Sequence, residues 1–245
     1  AARRARAAND FELTERLARA AVEQAPDVDV LVLLSEALHE FGRIDEADHV
    51  LEKAAALVAD DADRLRVAVL RHRLRLWGSS DATASVAVLR EAAAQMAAGP
   101  QRSLAHVAIA NTMAFDHEPA DALDALSPEE WADPLLGPLA AFARSVVLTR
   151  LGDPVSGGEA AAAARASSAD LQGPREMHPA LLFLAESLAR SESGDLDGAD
   201  EIATVAYEAV AQQHIPQLHA WLTLQLGRTA LHRGHPATAR RWFAE

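Results

Sequence analysis

The sequence predicts an all-α fold, a solenoid of stacked helix pairs, and three observations carry that expectation. Of the 245 residues 56 are alanine, whereas only 11 are aromatic, a balance that favours helix over sheet. Turn-forming positions recur at Gly42, Gly78, Asp116, Gly152, Gly194 and Gly234, spaced by 36, 38, 36, 42 and 40 residues. Between these turns the apolar residues follow a helical period, as in Ala47, Val50, Leu51, Ala54 and Leu57.

The elements follow in order. Residues 3–24 read as the second helix of a first unit. Helix A of each later unit is expected over 28–41, 62–77, 101–115, 135–151, 178–193 and 215–233. The matching B helices are expected over 45–58, 81–97, 119–126, 156–170, 197–213 and 236–245. Within a pair, glycine just past the end of helix A takes the left-handed conformation that other residues resist, and Asp, Ser or Pro opens helix B. Asp116 stands in for glycine in the third unit, since Asp tolerates that conformation better than most residues. Between pairs, Pro26, Pro100, Pro128, Pro134, Pro174 and Pro216 mark looser turns, and Asp60–Asp61 does so without proline. Alanine on the helix stripes lets neighbouring helices approach closely. No pair buries its apolar face alone, so stacking into a single 1–245 domain is expected. In the last A helix Leu218, Leu222, Leu226 and Leu231 carry that face. The stretch 127–138 is the least regular, and Trp131 within it is expected to be partly exposed.

Composition excludes several classes of function. With 23 Lys+Arg against 36 Asp+Glu the net charge is −13, which disfavours a phosphate-backbone partner. The absence of cysteine removes disulfides and thiolate chemistry. The first 23 residues lack the apolar segment of a signal peptide, and no 18-residue apolar run is present, so a cytoplasmic protein is expected.

A turn glycine followed by alanine five residues on, at Gly42/Ala47, Gly194/Ala199 and Gly234/Ala239, resembles the tetratricopeptide (TPR) repeat. The period exceeds that repeat's 34 residues, and its Trp-Leu-Gly-Tyr pattern is intact in no unit. The closing stretch from Trp221 to Glu245, with the Ala- and Arg-rich opening, is similar to the helical-repeat region of large ATP-binding LuxR-type transcriptional regulators. This resemblance implies a right-handed superhelix that senses a protein, peptide or small-molecule effector on its concave face. It also implies neighbouring ATPase and DNA-binding domains in a longer parent chain. A phosphate-binding loop is absent from the segment, since 152–159 has Glu159 where the motif requires lysine. A TPR-like scaffold unrelated to transcription is the alternative, and an α-helical enzyme a third reading. No cofactor and no direct nucleic-acid contact are expected, and self-association stays open.

Five arginines on one helix, Arg64, Arg66, Arg71, Arg73 and Arg75, either meet an anionic ligand or acidic partner, or pair with Asp60, Asp61, Asp63 and acids of adjacent helices; pairing is the expectation. Trp77 and Phe41, each directly before a turn glycine, are expected to wedge between helix pairs, and Trp221 and Trp242 to pack in the core. The pairs His232/His235 and His214/His219 do not converge, and Glu36/His39 alone makes no metal site, so none is expected. Polar helix A residues facing inward are the candidate binding set: His39, Arg71, Arg75, Asn111, Arg144, Glu186, Gln225 and Arg228.

Overall fold

The computed structural model describes residues 1–78, 80–115, 119–133, 136–167, 180–211 and 216–245. Every regular element among them is helical. The expected anchor at Asp116, the turn prolines Pro134 and Pro174, His214, and the expected helix limits at 135, 170, 178, 213 and 215 lie outside the described residues. The chain divides into two compact units, Ala1–Ile109 and Ala110–Glu245.

The first unit contains α1 (Ala2–Ala7), α2 (Phe11–Gln24), α3 (Val28–Glu40), α4 (Ile44–Ala55), α5 (Asp61–Arg73) and α6 (Ala82–Gln95), then the start of α7 (Pro100–Met113). Each helix from α2 to α5 packs against the next. Leu31, Leu34, Leu38, Leu51, Val67 and Leu74 form one continuous buried cluster. Aspartate opens four of these helices: Asp10, Asp27, Asp60 and Asp81 each accept a bond from the backbone N–H three residues on. The expected single helix over 3–24 is two helices. Asn9 sits at φ 55°, a region Asn visits more readily than most residues, and Asp10 then caps α2.

The second unit holds the rest of α7, a 3₁₀ segment Pro119–Ala125, α8 (Pro128–Ala132), α9 (Leu136–Arg150), α10 (Pro154–Ser167), α11 (Ala180–Ser193), α12 (Leu196–Ala211), α13 (Pro216–His232) and α14 (Pro236–Ala244). From α9 onward each helix packs on its sequence neighbour. The alanines fall in the seams: Ala140, Ala143, Ala161, Ala189, Ala199 and Ala203 are all fully buried. The stretch 127–138 is more regular than expected, because Ser127 and Glu130 form a reciprocal capping box that starts α8. The expected helix over 119–126 is instead a 3₁₀ segment, Pro119–Ala125, and Ser127 after it is extended, as the residue before a proline prefers.

Four of the expected turn glycines adopt the left-handed conformation: Gly42, Gly152, Gly194 and Gly234, with φ of 70°, 93°, 90° and 75°. The same pair of bonds closes each turn. At Gly42 the glycine N–H donates to the His39 carbonyl, and the next N–H, from Arg43, donates to Leu38. The 152, 194 and 234 turns repeat this pattern, which satisfies helix-end carbonyls that would otherwise lack donors. Gly152→Ala, with open space around it but a positive φ, should lower stability by about 1 kcal/mol; an unchanged urea midpoint would contradict the turn assignment. Gly78 departs from the pattern. It closes a π-helical turn, Leu74–Gly78, and the positive φ of 53° belongs to Ser80. Glycine is needed there for space, since a Cβ would lie 2.6 Å from the Ile44 side chain.

Phe41 and Trp77 are not wedged between helix pairs: they are 47% and 41% exposed. Each follows the end of its helix's apolar stripe, where the chain is already turning. Leu57, beyond the end of α4, is exposed for the same reason, whereas Leu231 is exposed within α13, away from the face of Leu218, Leu222 and Leu226. No helix among the described residues is long and apolar enough to cross a membrane.

Candidate binding site in the first unit

α4 carries two stripes. Ala47, Val50, Leu51 and Ala54 enter the core, while Asp45, Asp48, His49 and Glu52 share another face at helical spacing. α5 brings Arg71, and the π-turn brings Arg75, against that face. Arg71 Nε donates to Asp48 Oδ1 at 2.8 Å and its Nη2 donates to Glu52 at 2.8 Å. Arg75 Nη2 donates to Asp48 Oδ2 at 3.0 Å. Asp48 thus sits between two guanidiniums. Burial would raise its pKa, but the bonds from Arg71 and then Arg75 outweigh burial and hold the carboxyl below the usual carboxylate range. Burial would likewise lower Arg71, and Asp48 more than compensates.

The π-turn shapes the space beside this network. One residue per turn is added, the Asp81 N–H reaches back to the Arg75 carbonyl at 3.0 Å, and Asp81 then caps α6. π-turns often mark functional sites. Between α4, the π-turn and the start of α6 lies an open pocket of about 440 Å³. Ile44, Leu74 and Ala84 give it an apolar floor, and Asp45, Asp48, His49, Glu52, Arg75 and Asp81 provide its polar walls. His49 Nδ1 lies 3.5 Å from Glu52. Asp45 is exposed and makes no ion pair among the described residues. Asp48 and Glu52 are matched by Arg71 and Arg75, which leaves Asp45 and the α6-capping Asp81 as wall carboxylates without an ion pair among the described residues, the two that suit the pocket to a cationic group.

The predicted residues separate. Arg71 and Arg75 meet at Asp48, and the Arg-rich helix pairs with acids as expected: Arg64 with Asp61 at 2.7 Å, Arg66 with Asp29 at 2.7 Å and with Asp63 at 3.0 Å. His39, on α3, is half-buried. Burial lowers its pKa, Glu40 and then Glu36 oppose this, and Arg73 reinforces it. In the second unit Arg144 is exposed on α9, and Asn111 keeps a buried Oδ1 without a hydrogen bond among the described residues. Glu186 and Gln225 are interior, at 1% and 3% exposure, rather than on an open face. Glu186 is clasped by Arg165 and Arg190, while the Gln225 amide donates to Ser187 Oγ at 3.3 Å. Arg228 pairs with Glu192 at 2.9 Å on the surface. Trp131 is part-exposed, and Trp242 meets Tyr207 edge-on at 5.2 Å. Trp221 joins Phe115 and Phe142, with ring centroids 5.6 and 6.4 Å away. His232 faces Ser191 at 3.4 Å and His235 precedes α14. Among the described residues no group of three metal-ligating side chains is gathered.

Sequence reasoning missed Asp45, Asp48, His49, Glu52 and Asp81. The 45/48/52 spacing on α4 was the available signal, an acidic stripe waiting for the arginine stripe of the next helix.

His39 and His72 make the first unit sensitive to acid. Burial pushes the His72 imidazole below the ordinary histidine range; a hydrogen bond with the Ser85 backbone opposes this and Arg73 reinforces it. Because both histidines have depressed folded-state pKa values, their contribution is present above the ordinary histidine pKa and is lost as the pH falls below it. Urea unfolding at pH 5.5 should show about 1 kcal/mol less stability than at pH 7.5, and His72→Leu should reduce the difference. Equal stabilities at the two pH values would contradict this.

No protein-family model and no curated protein matches the chain. Its class is therefore stated from its geometry alone: an all-helical protein of Gly-turn hairpins with a charged surface pocket.

Proposed function

We propose that this chain is the non-catalytic, effector-sensing region of a LuxR-type transcriptional regulator, a TPR-like right-handed solenoid in a cytoplasmic protein. The effector is a cationic or zwitterionic small molecule or peptide that enters the pocket at the π-turn. Its positive group meets Asp45 and Asp81, and the Arg75 guanidinium has N–H groups to spare for a carbonyl or carboxylate. Occupancy would be relayed to neighbouring ATPase and DNA-binding domains through the packing of α4 on α5 and α6, because a ligand shifts only an equilibrium whose two states it binds unequally.

The observation that supports this reading is the pocket, a charged recess at the π-turn in which Asp45 and Asp81 make no ion pair among the described residues. Arg71 is too deeply paired to serve as a probe, since Arg71→Glu would set a third carboxylate against Asp48 and Glu52. Asp45→Lys is the cleaner change, because Asp45 is exposed and makes no ion pair among the described residues, so its cost is confined to the first turn of α4. In the source organism, deleting the coding gene should change a defined set of transcripts, and Asp45→Lys at the native locus should reproduce part of that change. Unaltered transcripts on deletion would instead favour the scaffold unrelated to transcription.

A further inference from the structure

The charges on the pocket walls narrow the class of ligand. Arg71 and Arg75 answer Asp48 and Glu52. Two lining carboxylates remain without an ion pair among the described residues: Asp45 in the first turn of α4, and Asp81 at the start of α6. Both residues are exposed. Asp81 Oδ1 caps α6 by accepting from the Ala84 N–H at 2.8 Å, while its Oδ2 accepts no bond among the described residues.

The π-turn holds both carboxylates in place. Ile44, the residue before Asp45, packs against Gly78, where an added Cβ would lie 2.6 Å from the isoleucine side chain. Asp81 is tied to the same turn through its N–H, which reaches the Arg75 carbonyl at 3.0 Å. Each carboxylate also has an apolar neighbour on the pocket floor. Ile44 adjoins Asp45, Ala84 lies one turn on from Asp81, and Leu74 completes the surface. Two anions on different helices, over an apolar floor, match a molecule with two cationic ends and an aliphatic body. A single ammonium leaves one carboxylate unmatched. A divalent metal ion takes several oxygen ligands and gives up its water reluctantly, and no group of three ligating side chains is gathered among the described residues.

We propose that the effector is a linear aliphatic diamine, with one ammonium at Asp45, the other at Asp81, and its methylene chain on Ile44, Leu74 and Ala84. This rests on the reading of the pocket as a site for cationic groups and makes it specific. An exposed ion pair contributes little by itself, so neither end suffices alone. Once one ammonium is held, the other is confined near its own carboxylate, and the two weak pairs reinforce each other. The pocket thereby selects for the second charge, which a monoamine of the same length lacks.

The test is calorimetric titration of the full 245-residue chain at low salt. The probes are linear diamines of three to six methylenes, the monoamine of each length, and magnesium chloride. The best-fitting diamine should bind about fivefold more tightly than its monoamine, and the advantage should shrink as salt rises. Asp45→Asn and Asp81→Asn each remove one charge at nearly constant shape, and asparagine keeps the cap on α6. Each change should reduce the diamine to the affinity of the monoamine. If monoamines bind as tightly as every diamine and Asp45→Asn weakens both, the diamine is overturned and the cationic pocket stands. If no amine binds, the diamine falls together with the affinity for cationic groups on which it rests. A diamine advantage that survives both asparagine changes, or magnesium binding more tightly than the diamines, also overturns the proposal.

Discussion

Glu186→Ala should destabilise the second unit by about 2–3 kcal/mol, with the loss concentrated where α10, α11 and α12 meet. Glu186 is 1% exposed, yet fully satisfied as a charge. Arg165 Nε donates to Oε2 at 3.0 Å, and Arg190 donates to Oε1 from Nη2 at 2.8 Å and from Nε at 3.0 Å. Arg190 continues to Asp195 at 2.9 Å, and Asp195 caps the first turn of α12. One carboxylate thus ties three helices and a turn. Its removal leaves two guanidiniums facing a void. They are 34% and 39% exposed and relax partly into water, so the estimate sits below the roughly 3–5 kcal/mol expected for a wholly buried pair. Three of the four tryptophans lie in the second unit, so with Trp77→Phe the fluorescence reports that unit alone. A Glu186→Ala protein within 0.5 kcal/mol of the parent in urea would show that the clasp contributes little.

Gly157→Ala is the second large effect, and its sign runs against helix propensity. Gly157 lies inside α10, where alanine is ordinarily the better residue by about 0.5–1 kcal/mol. Here the added Cβ would lie 2.5 Å from Thr149 Oγ1 and 2.8 Å from the Ser145 backbone oxygen on α9. A backbone atom cannot swing away, so α9 and α10 must separate along a seam that includes Ala140, Ala143 and Ala161. Overpacking of this kind costs about 1–3 kcal/mol, and a net loss near 2 kcal/mol is expected. Gly158, one residue on, would meet only an ordinary contact with Ala189, so Gly158→Ala serves as the control and should be neutral or stabilising. Stabilisation by Gly157→Ala would mean that the two helices are not in close contact at this point.

These two residues show what the sequence did and did not disclose. The helices and most of their turns were legible, because glycine at a helix end and an apolar stripe are local signals. Gly42, Gly152, Gly194 and Gly234 behave as the spacing implied. Gly78 looked the same and was not, because its glycine is required by Ile44, some thirty residues away, rather than by its own backbone angle. Asn9–Asp10 was hidden inside an otherwise helical pattern, and the capping box at Ser127 and Glu130 was overlooked amid prolines. At the site the arginine stripe was visible, but its partners on α4 were not, since nothing in one helix states which face of the next it will meet. Glu186 and Gln225 read as inward-facing polar residues of helix A on an open binding face, from their helix position. The structure buries them because neighbouring arginines and hydroxyls satisfy them.

The recess between α4, the π-turn and α6 is expected to bind a positively charged ligand. The most direct measurement is a thermal-shift screen of a panel of cationic, zwitterionic and anionic metabolites and short peptides, run on the wild type and on Asp45→Lys. A cationic or zwitterionic compound present at about 100 times its Kd should add about 2.7 kcal/mol of stability to the wild type, a rise of several degrees in Tm, and far less to Asp45→Lys. If no such compound stabilises the wild type, or if Asp45→Lys is stabilised equally, the pocket is not the sensing site.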